Sequence, residues 1–261
     1  MSSPPWALQA AGLSVCLGGR QVLQDINLAC APGQIVGVVG PNGSGKTTLL
    51  RALARLIPSS GALSMAGHSV AGCSLRQLAQ RRTFVAAQAA VPVPYRVGDL
   101  VNLGRASRQA LFYPPYAATA VQQALAAVHL EHLTQRLVAQ LSMGEQHLVR
   151  LAQAIAGEAS LWLLDEPCSH LDLRHQAHLL HLLQRRRSQG HTTVLSLHDL
   201  SLTGRLCDQV VLLHQGRMVH VGPPAEVLTA ERLQPVFATA LDCRPHPRSG
   251  APCVELAYKK I

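Results

Sequence analysis

The stretch Gly40-Pro41-Asn42-Gly43-Ser44-Gly45-Lys46-Thr47 constrains the fold more than any other part of the chain, because it meets every fixed position of the phosphate-cradling pattern G-x-x-x-x-G-K-[ST]. Its context is the required one. Gln34-Ile35-Val36-Gly37-Val38-Val39 is an apolar run of buried-strand length, and Leu49, Leu50, Leu53, Leu56 and Ile57 follow at helical spacing. Strand, loop and helix in that order predict backbone N–H groups wrapped round a phosphate chain at a helix start, with Lys46 reaching the β and γ phosphates and Thr47 placed for Mg²⁺. Lys46 is also the one lysine before Lys259 and Lys260, in a chain that otherwise uses arginine for its positive charges. An ammonium is a compact point charge where a guanidinium is a wide planar fork.

At 261 residues the chain can bury a large core. Hydrophobic residues make up 48% and charged ones 14% of it, which predicts a surface poor in charge and suited to docking. Its apolar runs fall short of the eighteen or so residues that span a bilayer. Met1 to Trp6 lacks the basic and then apolar pattern of a secretory signal, so a cytosolic location is expected. Seven scattered cysteines without a C-x-x-C pair predict reduced, mostly buried thiols rather than a disulfide framework or a zinc site. The formal charge of +9 would suit nucleic acid, an anionic membrane surface or nucleotide-binding arginines. Aromatic residues are only 3% and do not interleave with basic ones, which argues against a base-stacking platform.

Along the chain, Ala7 to Ala29 reads as a hairpin about Gly18-Gly19. Ala62 to Ala66 and Thr83 to Ala87 read as strands, the second ending at Gln88, where a glutamine could reach a metal or a water. From Ala89 to Ala156 the pattern turns helical, over Val97 to Gly104, Thr119 to Val128 and Glu131 to Leu137. Ser142 with Glu145 three residues on forms a capping box and marks a second helix start able to meet a phosphate. Leu161-Trp162-Leu163-Leu164 is a central strand closed by Asp165 and Glu166. Two carboxylates there are costly unless they bind something, and Asp165 suits Mg²⁺ while Glu166 suits an attacking water. Ser169 to Asp172 leads into a helix to about Gln189, carrying His175, His178 and His181 at spacings that drift round the helix and do not converge on one metal. Thr192 to Leu197 is a strand with His198 at its end, and a hairpin about Gln215-Gly216 follows. Two short helices, Ala225 to Leu228 and Ala230 to Phe237, precede a tail with a last strand at Cys253 to Tyr258.

In this order the motifs resemble the ATPase subunit of ABC transporters over essentially the whole chain. The resemblance implies an α/β fold: a RecA-like P-loop NTPase core with an N-terminal antiparallel β subdomain (residues 1–88 and 158–261 together) and an inserted α-helical subdomain (89–157). It implies ATP bound by Gly40, Pro41, Asn42, Gly43, Ser44, Gly45, Lys46, Thr47 and Thr48, and Mg²⁺ held by Thr47, Gln88 and Asp165. Glu166, His198 and Gln88 would serve hydrolysis. It further implies a head-to-tail dimer in which Ser142, Met143, Gly144 and Glu145 of a second copy complete the ATP site, with Ser169 and Asp172 at the junction. Separate permease subunits, an indirect link to a substrate-binding protein and a position on the inner face of the cell membrane follow from the same resemblance. The segments Val101 to Arg105, Glu226 to Thr229 and Leu233 to Phe237 look like importers of iron-siderophores, haem or vitamin B12, and molybdate importers share a similar build. Leu17 stands where the family stacks adenine on an aromatic ring, Met143 replaces a glycine and Gln153 an arginine. The other readings are a soluble ABC ATPase acting on nucleic acid and a low-turnover nucleotide-sensing module.

Overall fold

The computed structural model describes residues 6–87, 94–109, 115–169 and 171–257. In chain order the elements are β1 (Leu8–Leu17), β2 (Arg20–Cys30), β3 (Ile35–Val39), α1 (Lys46–Leu53), β4 (Ser60–Met65), β5 (His68–Ser69), α2 (Leu75–Arg81) and β6 (Arg82–Val85). The helical segment follows with α3 (Val97–Leu103), α4 (Ala106–Gln109), α5 (Ala118–Ala126) and α6 (Met143–Gly157). Then come β7 (Leu161–Leu164), α7 (Leu173–Ser188), β8 (Thr192–Ser196), α8 (Leu200–Leu206), β9 (Gln209–His214) and β10 (Arg217–Gly222). The chain closes with α9 (Pro224–Val227), α10 (Ala230–Phe237), β11 (Leu241–Pro245) and β12 (Pro252–Leu256).

Six strands form the central sheet in the order β10-β9-β3-β8-β7-β6. All its neighbours run parallel except the edge pair β9 and β10. Strands covered on both faces read as continuous apolar runs, and β3 is buried at all five positions. Their side chains still alternate. Ile35 and Val39 join one hydrophobic core with the helical segment, whereas Val36 and Val38 join a second with α1 and the four-stranded sheet β2-β1-β4-β5. Trp162 and Leu164 of β7 face the first core, Leu161 and Leu163 the second. Strand β3 lies between β8 and β9, so the chain leaves it in one direction and returns on both sides. Ligands collect outside the carboxyl ends of parallel strands at such a point.

Turn chemistry sets the joints. Gly18 and Gly19 both have positive φ, 55° and 76°, as a two-residue hairpin turn of matching twist demands. The second hairpin turn, Gln215-Gly216, does more than connect. Gly216 donates its N–H to the Ser44 carbonyl at 3.0 Å and accepts from the Gln24 N–H at 2.9 Å, and a Cβ there would overlap the Val22 carbonyl oxygen. The turn is therefore wedged between β2 and the loop after β3.

Four expectations need correction. Strand β6 ends at Val85, not Ala87, because its one neighbour β7 ends at Leu164 and the Asp165 N–H closes the pair on the Val85 carbonyl at 2.8 Å. Glu131 to Leu137 is not an α-helix but a single 3-10 turn, Glu131–Leu133. The Thr134 and Arg136 carbonyls accept instead from the Gly98 and Val97 N–H groups at the start of α3. The tail holds a strand that sequence pattern did not show: β11 pairs antiparallel with β12, Arg244 reaching across to Glu255 at 2.6 Å. Finally, all seven cysteines are free, but only Cys30 and Cys207 are buried, and Cys16 is exposed on the outward face of β1. Burial pushes the Cys30 thiol up to about 12, which leaves it protonated and inert.

Candidate functional site

The loop Gly40 to Thr47 leaves the carboxyl end of β3 and becomes α1 at Lys46. Two of its glycines are required by φ, and the first of them by space as well. At Gly40, with φ 152°, a Cβ would overlap the Leu213 carbonyl oxygen; at Gly45, with φ 106°, it would lie 2.8 Å from Leu23 Cδ2. Gly45 is the N-cap of α1 and supplies no side-chain cap, and no acidic residue stands in the first turn. The positive end of this helix is left for an external anion. Lys46 is 6% exposed, with Nζ donating to the Gly40 carbonyl at 2.8 Å and the Pro41 carbonyl at 3.1 Å. Burial lowers its pKa, and the Glu166 and Asp165 carboxylates work against that fall. Ser44 Oγ is buried with no hydrogen-bond partner among the described residues. A buried hydroxyl in want of a partner, an ammonium held only by neutral carbonyls and an uncapped helix start together fit a polyphosphate.

Asp165 sits one residue beyond β7 and is 3% exposed. Its Oδ1 accepts from Thr47 Oγ1 at 3.1 Å and from Ser196 Oγ at 2.8 Å. The carboxylate and the threonine hydroxyl are hard oxygen donors side by side at the phosphate loop, the kind of set that Mg²⁺ takes together with phosphate oxygens. Ser196, which is not among the residues expected from sequence, also accepts the Glu166 N–H at 2.8 Å. It thereby ties the two acids together from the end of the neighbouring strand β8. The signal in the sequence is a hydroxyl ending an apolar strand two residues before His198.

Glu166 adopts a left-handed backbone, φ 48°, which turns its side chain out of the strand line. Such a φ costs a residue with a Cβ roughly 1–2 kcal/mol. The Ser196 contact and the bond from the Ser169 N–H to the Glu166 carbonyl at 3.1 Å hold it. Glu166 Oε1 lies 2.6 Å from His198 Nε2, and Oε2 accepts from Ser169 Oγ at 3.3 Å. Partial burial would raise this carboxyl, but the hydrogen bond and charge of His198, then Ser169 and Lys46, outweigh it and hold the group below the usual carboxylate range. The arrangement offers an ionised, oriented carboxylate with an imidazole beside it, fit to accept a proton from a water and steady the charge that forms.

The second helix start is built differently. Glu145 donates its N–H to Ser142 Oγ at 3.2 Å, and Ser142 donates its N–H to Glu145 Oε2 at 2.8 Å. The Ser142 N–H, and then its hydroxyl, hold the Glu145 carboxyl below its ordinary value. Met143 is 57% exposed. Among the described residues no hydrogen bond or ion pair joins Ser142, Met143, Gly144 or Glu145 to the phosphate loop or to Asp165 and Glu166, so one chain does not bring the two helix starts together. Asp172 caps α7 through the His175 N–H at 2.8 Å, which holds its carboxyl down. Leu17 is exposed beside the first hairpin turn. Gln88 lies outside the described residues.

Comparison with known proteins agrees with this geometry. The sequence profile described as ABC transporter matches residues 23–169. The hemin import ATP-binding protein HmuV of Streptomyces coelicolor is 39% identical over 243 residues, covering 93% of this chain and 87% of that protein. The protein of the same name from Bordetella pertussis is 38% identical over 254 residues, 92% of this chain and 95% of its own. Among solved structures, an inward-facing metal-chelate type ABC transporter superposes with a TM-score of 0.82 at 29% identity, over 97% of this chain and 98% of that one. With a phosphate loop, an ordered acid pair and relatives of this identity and coverage, the chain belongs to the ABC transporter family, as one of its ATP-hydrolysing subunits.

Proposed function

We propose that this subunit drives the import of a metal chelate, haem before iron-siderophores or cobalamin, through separate permease subunits at the inner face of the membrane. The names of the relatives support haem and the superposed transporter supports a metal chelate. Among the described residues no helix is long and apolar enough to cross a membrane. The 48% apolar, 14% charged composition suits a chain that works against a partner.

In this reading Gly40 to Thr48 hold the ATP phosphates, and Thr47 and Asp165, with Gln88, hold Mg²⁺. That ion, when bound, neutralises charge on the transferring phosphoryl group. Glu166 takes the proton of the attacking water, and His198 orients Glu166 and contacts the γ-phosphate. Ser142, Met143, Gly144 and Glu145 of a second copy close over the nucleotide, with Ser169 and Asp172 at the junction. Residues 1–88 and 158–261 act as the nucleotide-binding core and 89–157 as the helical part.

The observation that carries the reading is the 2.6 Å contact between Glu166 and His198, next to an acid already bonded to the phosphate-loop threonine. The test is ATP hydrolysis and dimerisation of Glu166→Gln. ATP-dependent dimer on size exclusion, with phosphate release reduced by a factor of roughly 10² or more, is the expected result; turnover equal to the parent chain would overturn the role. Haem-dependent stimulation in vesicles with the cognate permease and binding protein, absent with a siderophore or cobalamin, tests the cargo.

A further inference from the structure

Three arginines in a row end α7, and they are treated differently. Arg187 pairs with Asp208. Arg185 and Arg186 make no ion pair among the described residues. Arg185 is exposed, but Arg186 is 6% exposed. Its Nη2 donates to the Ala159 carbonyl at 2.8 Å, its Cζ lies 3.6 Å from the centroid of the buried Trp162 ring, and its Nε is buried without a partner. A guanidinium is stable over an indole face. A buried cation without a carboxylate is nevertheless an unfinished arrangement, since burying a charge is costly unless it is paired. Burial lowers the Arg186 pKa to about 10, so it stays charged at neutral pH.

Both arginines line a cleft of about 640 Å³ between α5, the end of α6 and the end of α7. Facing them are Ala120, Gln123 and Ala127 from α5 and its end and Ile155 of α6, a wall of mainly apolar side chains, while Leu182 lies beside the arginines on α7. The carboxylate on that wall, Glu158, is already engaged, 2.6 Å from Arg108. The cleft therefore joins a mainly apolar wall to two cations without an ion pair among the described residues, and none of its lining residues belongs to the phosphate loop.

We propose that this cleft binds a small carboxylate with an apolar body, the carboxylate meeting Arg186 and Arg185 and the hydrocarbon lying on the alanines of α5. Neither half of the ligand suffices. An alcohol of the same length would leave the cations unpaired, and a bare anion would leave the apolar wall against water.

Octanoate, octanol and inorganic phosphate titrated calorimetrically into the full chain test this. A Trp6→Phe background makes Trp162 emission a second readout of contact at Arg186. Saturable octanoate binding with a change in Trp162 emission is expected, with octanol and phosphate weaker by about tenfold or more. Arg186→Met should weaken octanoate by a similar factor. Because that buried change can unsettle folding, Ala127→Phe, which fills the cleft from the half-buried wall, is the second variant and should abolish binding while ATP binding stays intact. Octanol or phosphate binding as tightly as octanoate, no saturable octanoate binding, or unchanged binding in Ala127→Phe would each overturn the proposal.

Discussion

The starts of α1 and α6 are two answers to one problem, the orphan N–H groups at the head of a helix. At α1 no side chain among the described residues caps them: Gly45 offers none, there is no acid in the first turn, and the nearby positive charge, Lys46, is buried. At α6 the chain caps itself through the reciprocal Ser142 and Glu145 bonds, and the residues around the cap are open to solvent. The first start is incomplete until an anion arrives. The second is complete and needs no ligand to form, so it can present a finished, rigid edge to something outside the chain. That division suits a nucleotide gripped at α1 and merely touched at α6.

The comparison breaks most readily at Lys46. Lys46→Ala should weaken nucleotide binding by roughly 10² or more, as truncating a buried charge partner does, measured by calorimetry with ATP; parent-like affinity would dissolve the contrast. Next comes Ser196→Ala, which leaves the Asp165 carboxylate with Thr47 alone and removes one of the two hydrogen bonds that hold the Glu166 turn. A fall of about tenfold in ATP turnover is expected from loss of a buried hydrogen bond, with ATP affinity changed less. Ser142→Ala should cost α6 about 1 kcal/mol of capping, read by thermal unfolding, while leaving monomer binding of ATP intact and weakening the ATP-dependent dimer. Loss of monomer binding would mean that α6 belongs to the same chain's site.

The smallest effect concerns pH. Glu145 and Glu166 both have carboxyls held below the ordinary carboxylate value. A depressed folded pKa stabilises the fold above the unfolded value, about 4.3, and that contribution is lost as pH falls through the folded pKa. Denaturation midpoints should therefore be flat in this respect above about pH 5 and drop on the acid side. Glu145→Gln should remove only the part due to the exposed cap.

The site was legible where chemistry forces a residue type at a fixed spacing. Gly40 has no room for a Cβ, Gly45 takes a strongly positive φ, and Asp165 and Glu166 close an apolar strand. The capping box at Ser142 and Glu145 was readable because its two bonds are local. What escaped was non-local. Ser196 matters because β8 lies beside β7, and an isolated serine does not announce its neighbour. The run from Glu131 to Leu137 has helical character, but its carbonyls are claimed by the start of α3, an allocation invisible from within the segment. Strand β11, with Asp242, Arg244 and Pro245, lacks alternating apolar residues and is held by its partner β12. The core strands were the easiest, since burial on both faces writes itself as an apolar run.

The turn at Gln215-Gly216 has a practical consequence. By sequence it is an exposed hairpin tip of the sort chosen for inserting a tag or opening a circular permutant. Gly216 is buried, however, and its N–H fastens the Ser44 carbonyl while its own carbonyl is held from β2. An insertion there would leave the hairpin and most of the core intact yet slacken the phosphate loop. The resulting protein would fold, express and fail to bind nucleotide, which makes this turn a poor place for a label and a good place for an off switch.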